Sequence, residues 1–185
     1  MQENKSVWYN GMLYGAYLGV SMIILSLIYS SLKVENSSLT NFLTISLLIV
    51  WIVLGTRKYR ANLGGFVSYS GALGAGVVIT LFAGVLAAFF SYIFLTVIEP
   101  DTIANSIVEF ENNLIENGDD EETIATSLKM YKKFATPTFF AIFAFLGNLL
   151  MGFLVSLITS LFLKRKNPNP FANVGDEQII DSEIK

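Results

Sequence analysis

The chain contains no cysteine and no histidine. The absence of thiols excludes a disulfide framework and lipid attachment at cysteine. Together the two absences remove thiol nucleophiles, imidazole bases and the commonest transition-metal ligands. Charge is scarce as well: 15% of residues are charged, against about 25% in a typical soluble domain. It is missing altogether from residues 6–32, 36–56, 61–98 and 135–163. Spans that relay protons or couple to ions usually carry an ionisable side chain, and these stretches carry none.

What fills the chain instead is apolar: 53% of its 185 residues are hydrophobic and the mean hydropathy is +0.56. Each uncharged stretch reaches the roughly 20 residues that a helix needs to cross a bilayer core. The pattern predicts an all-α, polytopic membrane protein with four transmembrane helices, over about residues 8–32, 39–56, 71–98 and 137–163. The first is read as a retained span, because its apolar run far exceeds that of a cleaved signal peptide and no small-residue cleavage site ends it. Residues 1–165 form one membrane domain. Residues 166–185, NPNPFANVGDEQIIDSEIK preceded by a lysine, read as a disordered cytoplasmic tail.

Basic residues set the orientation. Lys5, the cluster Arg57, Lys58 and Arg60, and the cluster Lys164, Arg165 and Lys166 share one side; Lys33, Lys129, Lys132 and Lys133 share the other. Seven against four predicts cytoplasmic N- and C-termini in a bacterial inner membrane, with the two clusters as topology anchors. Trp8, Tyr9, Trp51, Phe66 and Tyr69 then fall in the interfacial aromatic belt on the cytoplasmic side. The connection over 99–136 holds nine acids and three lysines, net −6, and is extracytoplasmic. Ile103, Ile107, Phe110 and Leu114 recur at helical spacing, Asn117-Gly118 marks a stop, and Ile124, Leu128, Tyr131 and Phe134 form a second stripe. The connection is therefore expected to be two short amphipathic helices.

Five glycines lie in GGFVSYSGALGAG, residues 64–76. A phosphate-binding loop would need a lysine after its last glycine, or a Gly-x-Gly-x-x-Gly order with a later acid. Neither is present, so no nucleotide is expected. Extended into the third span, the register Ala72, Gly76, Thr80, Gly84 and Ala88 clears a groove of small residues, the device by which helices approach closely in lipid. The first span repeats it with Gly11, Gly15 and Gly19, and the fourth with Ala144, Asn148, Gly152, Ser156 and Ser160. Spans one, three and four are expected to make close contacts, with the bulkier second span more lipid-exposed. The stripes are read as packing within the chain, with a homo-oligomer interface as the alternative. Asn148 is expected to hydrogen-bond across helices, the alternative being that it lines a ligand or ion path.

The run Asp119, Asp120, Glu121 and Glu122 lacks the alternation of a calcium loop and suits the first turn of a helix, where acids complement the dipole. Glu99-Pro100 is read as the end of the third span. No cofactor, metal or nucleic acid is implied. The expected partners are membrane lipids and, through the 99–136 loop, another membrane protein or a second copy of the chain.

The sequence resembles a bacterial membrane family known as domain of unknown function 4199, found mainly in Bacteroidetes. The resemblance rests on Gly11 with Gly15, on Tyr59-Arg60 followed by Gly64-Gly65-Phe66-Val67-Ser68-Tyr69 and Gly71-Ala72-Leu73, and on the exit from Phe94 to Pro100-Asp101. It covers about residues 5–165. Such proteins often place an acid near Ser70, which this sequence lacks, so any role of that acid is not carried over. The resemblance implies a small four-span inner-membrane protein and supplies no activity, ligand or catalytic residue. The expected function is non-enzymatic: a structural, accessory or interaction subunit, with a small transporter or channel component as the alternative and a membrane-embedded enzyme third.

Overall fold

The structure, a computed structural model, describes residues 6–32 and 37–165. Lys5, Lys33, Lys166 and the rest of the tail lie outside the described residues. The elements are helices α1 (Val7–Leu32), α2 (Ser37–Asn62), α3 (Tyr69–Ile93), α4 (Asp101–Glu116), α5 (Glu121–Phe134) and α6 (Pro137–Leu163). One π-helical turn, Phe94–Ile98, continues α3. Among the described residues, four helices are long and apolar enough to cross a membrane: α1, α2, α3 with its π turn, and α6. At 1.5 Å per residue the 26 residues of α1 extend about 39 Å, which exceeds the roughly 30 Å hydrocarbon core.

Local chemistry accounts for the helix ends. The helix α2 runs past residue 56 through the basic cluster to Asn62, because long basic side chains can reach polar surroundings without breaking the helix. It stops at Gly64 and Gly65, with φ of 81° and 90°, a left-handed conformation that costs glycine little. The Gly65 amide closes the turn by donating to Arg60 O at 2.9 Å. Ser68 then caps α3, its Oγ accepting from the Gly71 amide at 3.1 Å. Thr136 caps α6 in the same way, with Pro137 in the first turn, where its missing N–H is harmless.

The helix α3 is the centre of the bundle and presents two faces. One takes α1, running parallel: Gly11 lies against Val78, Gly15 against Ile79, Phe82 and Ala83, and Gly19 against Leu86. The other takes α6, running antiparallel, with Gly76 opposite Ser156, Thr80 opposite Gly152 and Gly84 opposite Phe145. The helices α1 and α6 scarcely touch. The fourth side is closed by α2, whose Leu48 and Ile52 join Leu18, Ile79 and Ala83 in the core. Bulky side chains of α2 thus fill the space that small residues open elsewhere. Leu47 and Trp51 pack against that core half-buried, while Phe42, Ile49, Val50 and Leu54 are exposed.

Close packing is concentrated in one half of the bundle. The buried residues of α1 end at Gly19, those of α2 are Leu48, Ile52, Gly55 and Thr56, and those of α3 run from Ala72 to Ala83 and Gly84. With Gly152, Ser156, Ser160 and Leu163 of α6 they lie at the centre of the bundle or in the half that carries the basic clusters, and the other half buries only Leu95 and Ala141 among the described residues. Toward the other end, glycine gives way to Met22, Tyr29, Phe90 and Phe94 on the inward faces of α1 and α3. Backbones separated by such side chains cannot close up as those separated by hydrogen atoms do.

Candidate functional site

The separated half contains a chamber of about 310 Å³ lined from all four spans, by Ser26 and Tyr29 of α1, Thr44 of α2, Phe90 and Ser91 of α3, and Asn148 of α6. It joins two further spaces through shared side chains. A lateral gap of about 530 Å³ between α2 and α6 shares Met22, Thr44, Ala144 and Asn148 with it and adds Asn41 and Gly147. A mouth of about 810 Å³ shares Ser26, Tyr29 and Phe94 and adds Ser30, Glu99, Asp101 and Thr102. The result is a crevice whose largely apolar walls carry scattered polar side chains, with Leu48 of the packed core lining the lateral gap.

The side chains around it are held from several elements. The Ser30 hydroxyl donates to Glu99 Oε1, tying α1 to the end of the π turn, and Thr102 Oγ1 donates to Glu99 Oε2 at 3.3 Å. Glu99 therefore does more than end the third span: Pro100 behind it occupies the cap position of α4, and the carboxylate links α1, the π turn and α4. Single π turns are frequent at functional sites because they displace the side chains that follow. The Tyr29 hydroxyl is buried with no hydrogen-bond partner. Asn148 Nδ2 donates to Ala144 O of its own helix at 3.0 Å, so the bond is local and does not cross helices. The amide lines the chamber and the lateral gap.

The other sequence-selected residues lie elsewhere. Gly11, Gly15, Gly19, Ala72, Gly76, Thr80, Gly84, Gly152 and Ser156 are buried between helices, and Ala88 is half-buried. The basic residues gather at the closed end. Arg60 Nη1 donates to Leu163 O at 3.1 Å, satisfying a terminal carbonyl of α6. Arg165 forms an antiparallel bridge with Val67, with N–O distances of 2.9 and 3.0 Å. Arg57, Lys58 and Lys164 are exposed. Among the buried residues not singled out by sequence are Asn10, whose Nδ2 donates to Gly55 O at 3.0 Å, and Gly55 itself, held against Tyr14 and Ile79. The available signal was an amide one residue before the glycine stripe of α1.

The helices α4 and α5 pair with each other through the stacked rings of Phe110 and Tyr131, 4.3 Å apart at 12°. Neither helix contains a buried residue. Beyond the hairpin, α4 meets the π turn, and an apolar pocket of about 490 Å³ lies between the hairpin and Phe139, Phe140 and Phe143 of α6. Among the described residues no group of acids is arranged to hold a metal ion. Asp120 caps α5, and its carboxyl is held below the ordinary aspartate range, chiefly because the Thr123 hydroxyl donates to it at 2.5 Å. A depressed pKa means that the cap stabilises α5 above the ordinary value of about 3.9 and is lost as pH falls through the lower, folded value. The part of the Thr123 amide resonance's movement that comes from this cap is therefore expected below the ordinary aspartate value of about 3.9, and the low-pH movement is expected to shrink in Asp120→Asn. A wild-type resonance that stays flat down to pH 2 would remove the cap.

Compared with known proteins, residues 13–165 match the model of a family described as "Protein of unknown function (DUF4199)". No curated protein and no solved structure matches the chain.

Proposed function

This chain belongs to the DUF4199 family of proteins of unknown function, and on that premise we propose that it is a non-enzymatic accessory or interaction subunit of the bacterial cytoplasmic membrane. Both termini are placed in the cytoplasm and the α4–α5 hairpin outside, a reading supported by the seven basic residues against four. The observation that carries the interaction role is the hairpin. Its two helices pair with each other, contain no buried residue, and leave Val108, Ile115 and Met130 exposed on a segment of net charge −6. A hairpin that does little to hold the bundle together is free to meet a partner, either another membrane protein with a basic or apolar outer surface or a second copy.

The test is crosslinking and affinity capture from native membranes, comparing the full chain with one in which residues 99–136 are replaced by a short flexible linker. Loss of the captured partners is expected. Identical partners with and without the hairpin would rule it out as the contact surface.

A second reading, a small transporter or channel component, is favoured by one observation: the crevice reaches Asn148 within α6, and polar side chains line it from all four spans. A bundle specialised for packing alone has no use for such a space.

A further inference from the structure

We propose that the crevice is a binding site for a small organic cation, a protonated or quaternary amine carrying a short apolar arm, which enters past Glu99 and sits between Tyr29, Phe90 and Asn148. The proposal rests on the second, solute-handling reading and adds the chemical class of the solute.

Size and closure come first. A chamber of about 310 Å³ lies at the lower end of the roughly 300–1,000 Å³ found for small-molecule sites. The tightly packed residues Leu18, Leu48, Ile52, Ile79 and Ala83 occupy the other half of the bundle, so no continuous opening is seen through it among the described residues. Charge selects the sign. Glu99 and Asp101 stand at the mouth, and among the described residues no lysine or arginine lines the chamber, the lateral gap or the mouth. Carboxylates at the entrance of a low-dielectric cleft concentrate cations and repel anions. Glu99 is also pre-positioned, since the hydroxyls of Ser30 and Thr102 fix both its oxygens.

The interior suits an ammonium with an organic arm better than a bare metal ion. An ion shedding its hydration shell would need several oxygens converging on one point, whereas here they are spread along the walls. The ring of Tyr29 lines both the chamber and the mouth and offers a face for cation–π contact. The amide oxygen of Asn148 is not used by that residue's bond to Ala144. The rings of Phe90 and Phe94 lie 5.6 Å apart at 42° and line the same chamber, offering faces for cation–π contact and for the apolar arm.

The experiment uses the full-length protein in nanodiscs of phosphatidylglycerol, which contains no amine, titrated calorimetrically with phenethylammonium. Phenethyl alcohol and phenylacetate serve as neutral and anionic analogues of the same shape. Saturable binding of the ammonium is expected, at least about tenfold tighter than the alcohol, with a loss of about tenfold in Glu99→Gln, because the negative charge that attracts the cation at the mouth of a low-dielectric cleft is removed. Glu109→Gln, on the hairpin and outside the crevice, is expected to bind as wild type. Repeating the titration in phosphatidylethanolamine distinguishes two sources of the ammonium. Weaker apparent binding there assigns the site to a lipid headgroup, and unchanged binding assigns it to a free amine. Equal affinity for the alcohol, preference for phenylacetate, or an unaffected Glu99→Gln variant would overturn the cation while leaving a solute site. Failure of all three ligands to bind also overturns it, and the solute-handling reading falls with it only if Asn148 is inaccessible to water.

Discussion

Adding one methyl group at Gly15 or Gly152 is expected to destabilise the bundle by about 1–3 kcal/mol, the usual cost of overpacking a filled interior. A Cβ at Gly15 would stand 2.6 Å from Ile79 O and 2.7 Å from Phe82 Cβ. The first of these is backbone and can retreat only if α1 and α3 separate. A Cβ at Gly152 would collide with Cβ, Oγ1 and Cγ2 of Thr80, a fully buried side chain, and would push α6 off α3. Gly74 and Gly147 provide the controls: a Cβ at either meets nothing within 4 Å, so alanine there should change stability by less than about 0.5 kcal/mol. Thermal unfolding in detergent of the four single variants separates the cases. A pairwise test sharpens it, because a Cβ at Gly76 would meet Oγ and Cβ of Ser156. Gly76→Ala should destabilise, and adding Ser156→Gly should recover part of the loss, a coupling expected between residues in contact. If all four glycines tolerate alanine equally, the close approach of these helices is wrong.

The second large effect concerns water. The chain has no native cysteine, so single cysteines can report accessibility without background. Asn148→Cys, in the crevice, is expected to react with a membrane-impermeant maleimide added on the hairpin side. Ser156→Cys, two turns along the same helix and 1% exposed, is expected to stay unlabelled until the protein is denatured. Labelling of intact membranes, quantified by gel shift, should differ between the two by at least about tenfold, the least that excluding a reagent from a packed interior implies. Equal protection of both positions would mean a dry bundle and would remove the solute-handling reading.

The spans were legible in the sequence because a bilayer core imposes a coarse rule. A charge-free run of about 20 residues has few alternatives. The stripes of small residues were legible as well, since they follow the helical period. Their pairing was not. Sequence placed Gly11, Gly15 and Gly19 in a set with Gly76 and Gly84, but in the structure the glycines of α1 receive the large residues Val78, Phe82 and Leu86, and the small face of α3 is turned to α6. Which of two faces of one helix meets which neighbour depends on all four helices together. The second span keeps many apolar side chains exposed, in line with its expected position, but two of the bulky residues that suggested it, Leu48 and Ile52, fill the centre. The role of the glycines at 64 and 65 was not legible either: they form the stop that ends α2, which depends on the sign of φ.

Sequence alone determined that this is a helical protein with four stretches long and apolar enough to cross a membrane and most of its basic residues flanking one side of them, because solvation in lipid depends on composition and length. Only the tertiary structure decided that the close packing centres toward that side, and that Tyr29, Glu99 and Asn148 border adjoining spaces at the other. These residues lie 49 or more positions apart, on α1, beyond the π turn and on α6. Their meeting is a consequence of helix packing, which no local pattern encodes.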